Sequence, residues 1–361
     1  MQPPRALFDR ILTPATTVLL TAVVATAGDV AAPSSLASIA KKDVLSPADE
    51  AAVAAFVELY ASQLENGDAT DRPKARLKLL ADVHGLTGRR ATPLFREVYA
   101  QLLIPRLKTI MVDAPTPHRI AAAQVAGGLG TDSAVSLLSR HLSPDQESDD
   151  AVRVWTAAGI RPLIAQANVT PTRLNRVIRT LGQAALTEPA WPVLRQQLET
   201  LAAATANRRG DEGGQAALMA LAREQQAAVL SRIVERLENG ELEMLLVIEP
   251  HMRHIQEQFL DQDDAAALRE QARGTVPALS GLYDAILTNW DAIVANERSA
   301  RLAGRSLQKA EVMIVLMDNY LTDQSQSTAP RYEIAVTGNN RAPIEAGKVK
   351  WGAIGDGREY R

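Results

Sequence analysis

Residues 117–142, PHRIAAAQVAGGLGTDSAVSLLSRHL, constrain the fold more than any other stretch of the chain. They read as two short helices joined by a glycine turn. Ile120, Ala123 and Val125 lie on an alanine-rich first half that lets a neighbour approach closely. Gly127, Gly128 and Gly130 are expected to end that half, because glycine takes left-handed backbone geometry at a helix C-terminus without a Cβ clash. Thr131 or Asp132 then caps a second helix, whose Val135, Leu138 and Leu142 recur at helical spacing. A helix pair this short cannot bury both of its faces alone, so it requires similar pairs stacked beside it.

The rest of the composition agrees with that requirement. Aromatic residues make up only 4% of the chain, which favours close-packed helices over a β-sandwich. With 361 residues and 46% hydrophobic content, a sizeable core is within reach. The net charge of −3 and the absence of a clustered basic face argue against a nucleic-acid partner. The chain has no cysteine, which excludes disulfides, thiolate metal sites, a cysteine nucleophile and a lipidated cysteine.

The N-terminus carries an export signal. Arg5 and Arg10 precede 17 uncharged residues, ILTPATTVLLTAVVATA, that end in Ala25-Thr26-Ala27. A basic start, a short apolar core and an A-x-A site define a secretory signal peptide over residues 1–27. An uncleaved membrane anchor is the alternative, but this run is shorter than the ~20 residues a span needs. Cleavage after Ala27, with Ala32 as a second site, would leave a periplasmic or secreted chain without stable membrane insertion. Removing Arg5, Asp9 and Arg10 takes the charge from −3 to −4.

Residues 28–46 are small and polar and read as a linker. Ser46-Pro47-Ala48-Asp49-Glu50 is a helix start, with a serine cap, proline at the first position and acids in the first turn. Successive apolar stripes then mark helices up to about residue 206, and Pro105 is expected to kink or break one of them. Trp155, Trp191 and Trp290 sit within such stripes and read as core. Internal similarity runs through this region. Arg119-Ile120 with Ala123 recurs as Arg153-Val154 with Ala157, an offset of 34 residues. Leu129-Gly130 leading into Ala134, Leu138 and Leu142 recurs as Leu181-Gly182 leading into Ala190, Leu194 and Leu198, with four extra residues between turn and helix. At these residues the chain resembles the HEAT family, particularly its short bacterial form. The resemblance covers residues 74–204. It implies a helical superhelix over residues 47–206 whose role is to bind protein on a curved surface, and it transfers no catalytic residue.

Residues 207–214, NRRGDEGG, form a polar, glycine-rich domain boundary. Beyond it, four longer single-stripe helices predict an antiparallel bundle over residues 215–321. Residues 322–361 are expected to be a poorly structured tail or a docked hairpin, with strands over residues 332–336 and 349–353.

Three features could carry chemistry. His251, His254 and Glu257 form an H-x-x-H-x-x-E row that could offer three ligands to zinc or another divalent ion. Arg173, Arg176 and Arg179 recur every three residues and give a basic ridge that could attract an acidic partner. Trp351, in the tail, is a candidate docking anchor. The acidic run that starts at Asp261 does not make a calcium loop, because Ala266 and Ala272 stand where that loop needs glycine and glutamate. Gly127-Gly128-Leu129-Gly130 lacks the strand context and the lysine of a phosphate loop. The sequence therefore predicts an all-α exported scaffold: an irregular HEAT-like superhelix, then a bundle, binding a protein or peptide partner without a cofactor. A bundle that holds a small ligand or metal near His251 and His254 is the alternative.

Overall fold

The computed structural model describes residues 32–84, 91–164, 169–205, 212–261, 264–322, 327 and 331–355, and every regular element among them is helical. The expected signal peptide lies outside the described residues. No described helix is long and apolar enough to cross a membrane.

The chain enters the fold through its expected first cap. Helix α1 (Pro47–Asn66) starts at Ser46, whose hydroxyl accepts the Asp49 N–H at 3.2 Å while the Asp49 carboxylate accepts the Ser46 N–H at 2.9 Å. A hydrogen bond from Lys42, then those from Ser46, hold the Asp49 carboxyl at about 2. Residues 32–46, read as linker, are part of the folded body. Leu36 and Ala40 are buried, the Leu36 N–H donates to Asp82 at 2.6 Å, and the Thr92 N–H donates to the Ala40 carbonyl at 2.9 Å.

Helices α2 (Asp71–His84) and α3 (Pro93–Asp113) follow. Pro105 does not break α3. It and Gln101, whose carbonyl loses a partner, both lie on the exposed side of the helix, where the lost bond costs least. Then comes the constraining pair, α4 (Thr116–Leu129) and α5 (Asp132–Ser139). Of the three glycines expected in the turn, only Gly130 takes the left-handed conformation, at φ 72°, and Thr131 caps α5. Gly127 and Gly128, expected in the turn, lie inside α4. Their missing side chains make room for neighbours: a Cβ on Gly127 would stand 2.7 Å from the Gly159 backbone.

The remaining helices are α6 (Asp150–Ile164), α7 (Pro171–Thr187), α8 (Trp191–Thr205), α9 (Glu212–Glu238), α10 (Leu245–Leu260) and α11 (Ala265–Thr288). After them come α12 (Trp290–Val294), α13 (Glu297–Thr322), α14 (Tyr332–Thr337) and α15 (Ala342–Gly355). Gly182, matched to the α4 turn in sequence, is inside α7, where Gln225 packs into the space a Cβ would fill. Trp155 is not core: it is 41% exposed on α6, whereas Trp290 is buried.

These helices alternate between two rows. Helices α2, α4, α6, α8, α10 and α13 pack each on the next, and so do α3, α5, α7, α9, α11 and α15. The expected boundary at residues 207–214, most of which lie outside the described residues, does not divide the core. Helix α9 packs on both α7 and α8, α10 packs on α8, and the bundle of α9, α10, α11 and α13 shares one buried cluster with the earlier helices. The tail differs most from its expectation. Residues 332–336 and 349–353 are helical rather than extended, and Trp351 is fully buried, with α15 packed on α11. An isolated pair of strands is marginal in water, whereas Tyr332, Val336, Ile344 and Trp351 at helical spacing cover the end of the bundle.

Candidate functional site: a groove at the ends of four helices

Two sequence breaks, residues 207–214 and 261–264, bring four helix ends together. The C-terminal turns of α8 and α10 meet the N-terminal turns of α9 and α11 around a groove of about 1510 Å³. One side is floored by Ala202, Ala203, Ala216, Ala217 and Ala220, with Met219 beside them. The other side carries Glu257, Asp261, Asp264 and Glu270, together with Ala266 and Ala267. Alanine at these positions keeps the helices well formed and keeps the space between them open.

The charges around the groove are unequal. Its lining holds five carboxylates, Glu199, Glu257, Asp261, Asp264 and Glu270, and two guanidinium groups, Arg161 and Arg223. Two helix starts and two helix ends meet here, so their dipoles largely offset and the side chains set the sign. Arg161 faces Glu199 at 3.7 Å. Asp264 caps α11, accepting the Ala266 N–H at 2.9 Å. Arg223 is half-buried and its Nε has no partner; burial holds its pKa below the ordinary arginine value, while Asp264 pulls the other way. The one hydroxyl among the lining residues, on Thr205, donates to the Ala202 carbonyl at 2.7 Å. The groove therefore offers contact area and charge rather than a nucleophile beside a base.

The histidine row is split. His254 and Glu257 stand at the groove, 3.5 Å apart, on the exposed side of α10. His251, one turn earlier, is 2% exposed and neither of its ring nitrogens has a hydrogen-bond partner. Burial, with the neighbouring His254, pushes its pKa down to about 3. A three-residue step rotates the two side chains apart far enough to put one in the core and one at the rim, and no group of three potential metal ligands gathers among the described residues. His251 instead faces a crevice of about 10 Å³ between α8 and α10 that shares Glu199 and His254 with the groove.

The other sequence candidates lie elsewhere. Arg176 and Arg179 are exposed on α7 and Arg173 is half-buried, so the basic ridge exists as a surface row apart from the groove lining. Trp351 is an anchor for the chain's own last helix, because its side chain is closed to any partner. Sequence reasoning missed the groove, although the runs Ala202-Ala203-Ala204, Ala216-Ala217 and Ala265-Ala266-Ala267 each adjoin a helix break and mark where helix ends leave space.

Fold and groove together define an all-α protein with a large open recess where four helix ends meet. No family model matches the chain, and no match was found among curated proteins.

Proposed function

We propose that the chain is an exported, non-enzymatic helical scaffold of HEAT-like repeats that binds a protein or peptide partner in the groove between α8, α9, α10 and α11. The groove itself carries the reading: at about 1510 Å³ it exceeds the ~300–1,000 Å³ of a usual small-molecule pocket, and its alanine floor leaves room for polypeptide. The two-row stacking of short helices supports the repeat assignment. The N-terminal signal supports export, with cleavage after Ala27.

Position-specific photo-crosslinking in the native host tests it. A photoreactive residue at Ala217 or Ala266, in the groove, should trap one polypeptide, and the same residue at Ser231, exposed on α9 away from the lining, should not. The mass of the isolated chain reports cleavage at the same time. Equal trapping at all three positions, or none in the groove, would overturn the binding assignment. An intact N-terminus would overturn the cleavage.

A further inference from the structure

The two sides of the groove differ, and the difference names an occupant. The side built from α8 and α9 presents Ala202, Ala216, Ala217 and Ala220 with one charge of each sign, Glu199 and Arg223, whereas the side built from α10 and α11 presents four carboxylates, Glu257, Asp261, Asp264 and Glu270. Arg253 pairs with Glu257 at 3.0 Å and Arg273 with Glu270 at 3.6 Å, but neither arginine lines the groove and their side chains are 75% and 50% exposed. Exposed pairs of this kind contribute little, so a partner's cation can replace them at small cost.

We infer that the groove takes a cationic amphipathic helix from a separate polypeptide, its apolar face on the α8–α9 alanines and its lysines and arginines toward the α10–α11 carboxylates. The inference rests on the groove being a partner-binding site. A helix is favoured over an extended strand because the regular elements around the groove are all helices, so no strand edge offers a ladder for a strand to join. The volume suits it: at a helix diameter of ~10 Å and a rise of ~1.5 Å per residue, about 1510 Å³ accommodates about three and a half turns. Beside the groove, the fully buried and unpartnered imidazole of His251 faces a crevice bounded by Glu199 and His254, with room for a single water. That leaves a hydrogen-bonding position which the folded chain itself does not fill, next to where the occupant would lie.

The test uses the full chain and two fluorescent helix-forming peptides of about 14 residues, one built from leucine and lysine, the other from leucine and glutamate. Fluorescence anisotropy should show the leucine–lysine peptide binding about tenfold or more tighter than its acidic counterpart, with the difference shrinking as salt rises. Replacing two exposed acids of the wall, Glu257→Lys with Glu270→Lys, should weaken that binding by about tenfold or more. Ala220→Trp, which fills the floor from an exposed position, should do the same. Glu235→Lys with Glu297→Lys, exposed acids away from the groove, should leave it unchanged. Equal affinity for the two peptides, or equal loss in the groove and control variants, would overturn the inference. If the leucine–lysine peptide fails while crosslinking from Ala217 still traps a partner, the groove remains a binding site and only the cationic helix falls. If both fail, both fall.

Discussion

Arg153 donates through Nε and Nη2 to the two oxygens of Glu188, each at 2.8 Å, and both side chains are closed to solvent. The same guanidinium reaches the Glu147 carbonyl at 2.7 Å and Asp150 at 2.6 Å, and the Glu188 carbonyl accepts from Arg236 at 2.7 Å. One earlier helix repeats the device: Arg119 holds both oxygens of Glu147 at 2.6 and 2.8 Å. In each case an arginine on a helix of one row reaches a carboxylate just ahead of the next helix in that row. The offset of 34 between Arg119 and Arg153 is thus a latch between successive helices.

Removing one member of the deeper latch should be costly. Arg153→Met leaves Glu188 buried without its ion-pair partner, whereas Glu188→Leu leaves Arg153 with Asp150 and the Glu147 carbonyl. Arg153→Met is expected to cost about 3–5 kcal/mol, since breaking a buried pair strands its partner, and Glu188→Leu less, since Arg153 keeps its contact with Asp150. The double replacement should cost less than the sum of the two, because neither charge then remains. Urea unfolding of the four proteins gives the coupling directly. Additive losses would show that the pair is not the latch.

The glycine seam between α4 and α6 makes a second prediction, one of sign. Alanine in a helix is ordinarily better than glycine by about 0.5–1 kcal/mol. At Gly127 the added Cβ meets Gly159 backbone at 2.7 Å, which cannot swing aside, so Gly127→Ala should destabilise by roughly 1–3 kcal/mol. At Gly352, on α15, nothing lies within 4 Å, and Gly352→Ala should stabilise by up to about 1 kcal/mol. Denaturant midpoints moving in the same direction for both would refute the close approach.

Helical class, the first helix start and the α4–α5 turn were legible because they are local: Ser46 and Thr131 each cap the helix that follows. What failed was the reading of residues whose meaning depends on a distant partner. Gly127 and Gly182 look like turn glycines until Gly159 and Gln225 are seen against them. The tail, expected as poorly structured or as a docked hairpin, is helical and packs on α11 and α13, contacts that its own spacing does not record. His251 and His254 share a spacing but not an environment. The groove arises where four helix ends converge, and single-helix periodicity carries no record of that convergence.

The docking of the last helix rests on Trp351. Its side chain is fully buried, its carbonyl accepts from Ser280 at 2.8 Å, and Gly347, one turn earlier, leaves space for the rings of Tyr283 and Tyr332. Trp351→Ala should cost about 3–5 kcal/mol. The loss should be local as well as large. Hydrogen exchange in α15 should accelerate well beyond that in α2 and α3, at the other end of the two rows. Unchanged protection of α15 would mean the indole does not hold it.

His251 makes stability depend on pH. In the folded chain burial holds its pKa at about 3, whereas unfolding returns it toward the ordinary 6.5. Between those values the unfolded chain binds a proton that the folded chain does not. The contribution is therefore fully present above about pH 6.5 and is lost as the pH falls toward 3, with a slope of at most about 1.4 kcal/mol per pH unit. The groups that share its crevice, Arg195, Glu199 and His254, offer no hydrogen bond to either ring nitrogen and so do not relieve the cost of charging it. His251→Leu removes both the titration and two unpartnered buried nitrogens. Urea unfolding at pH 7, 6 and 5 should show the variant gaining on the parent as the pH falls, with other titrating groups cancelling in the comparison. A difference that stays constant across that range would place the imidazole in contact with water or with a partner.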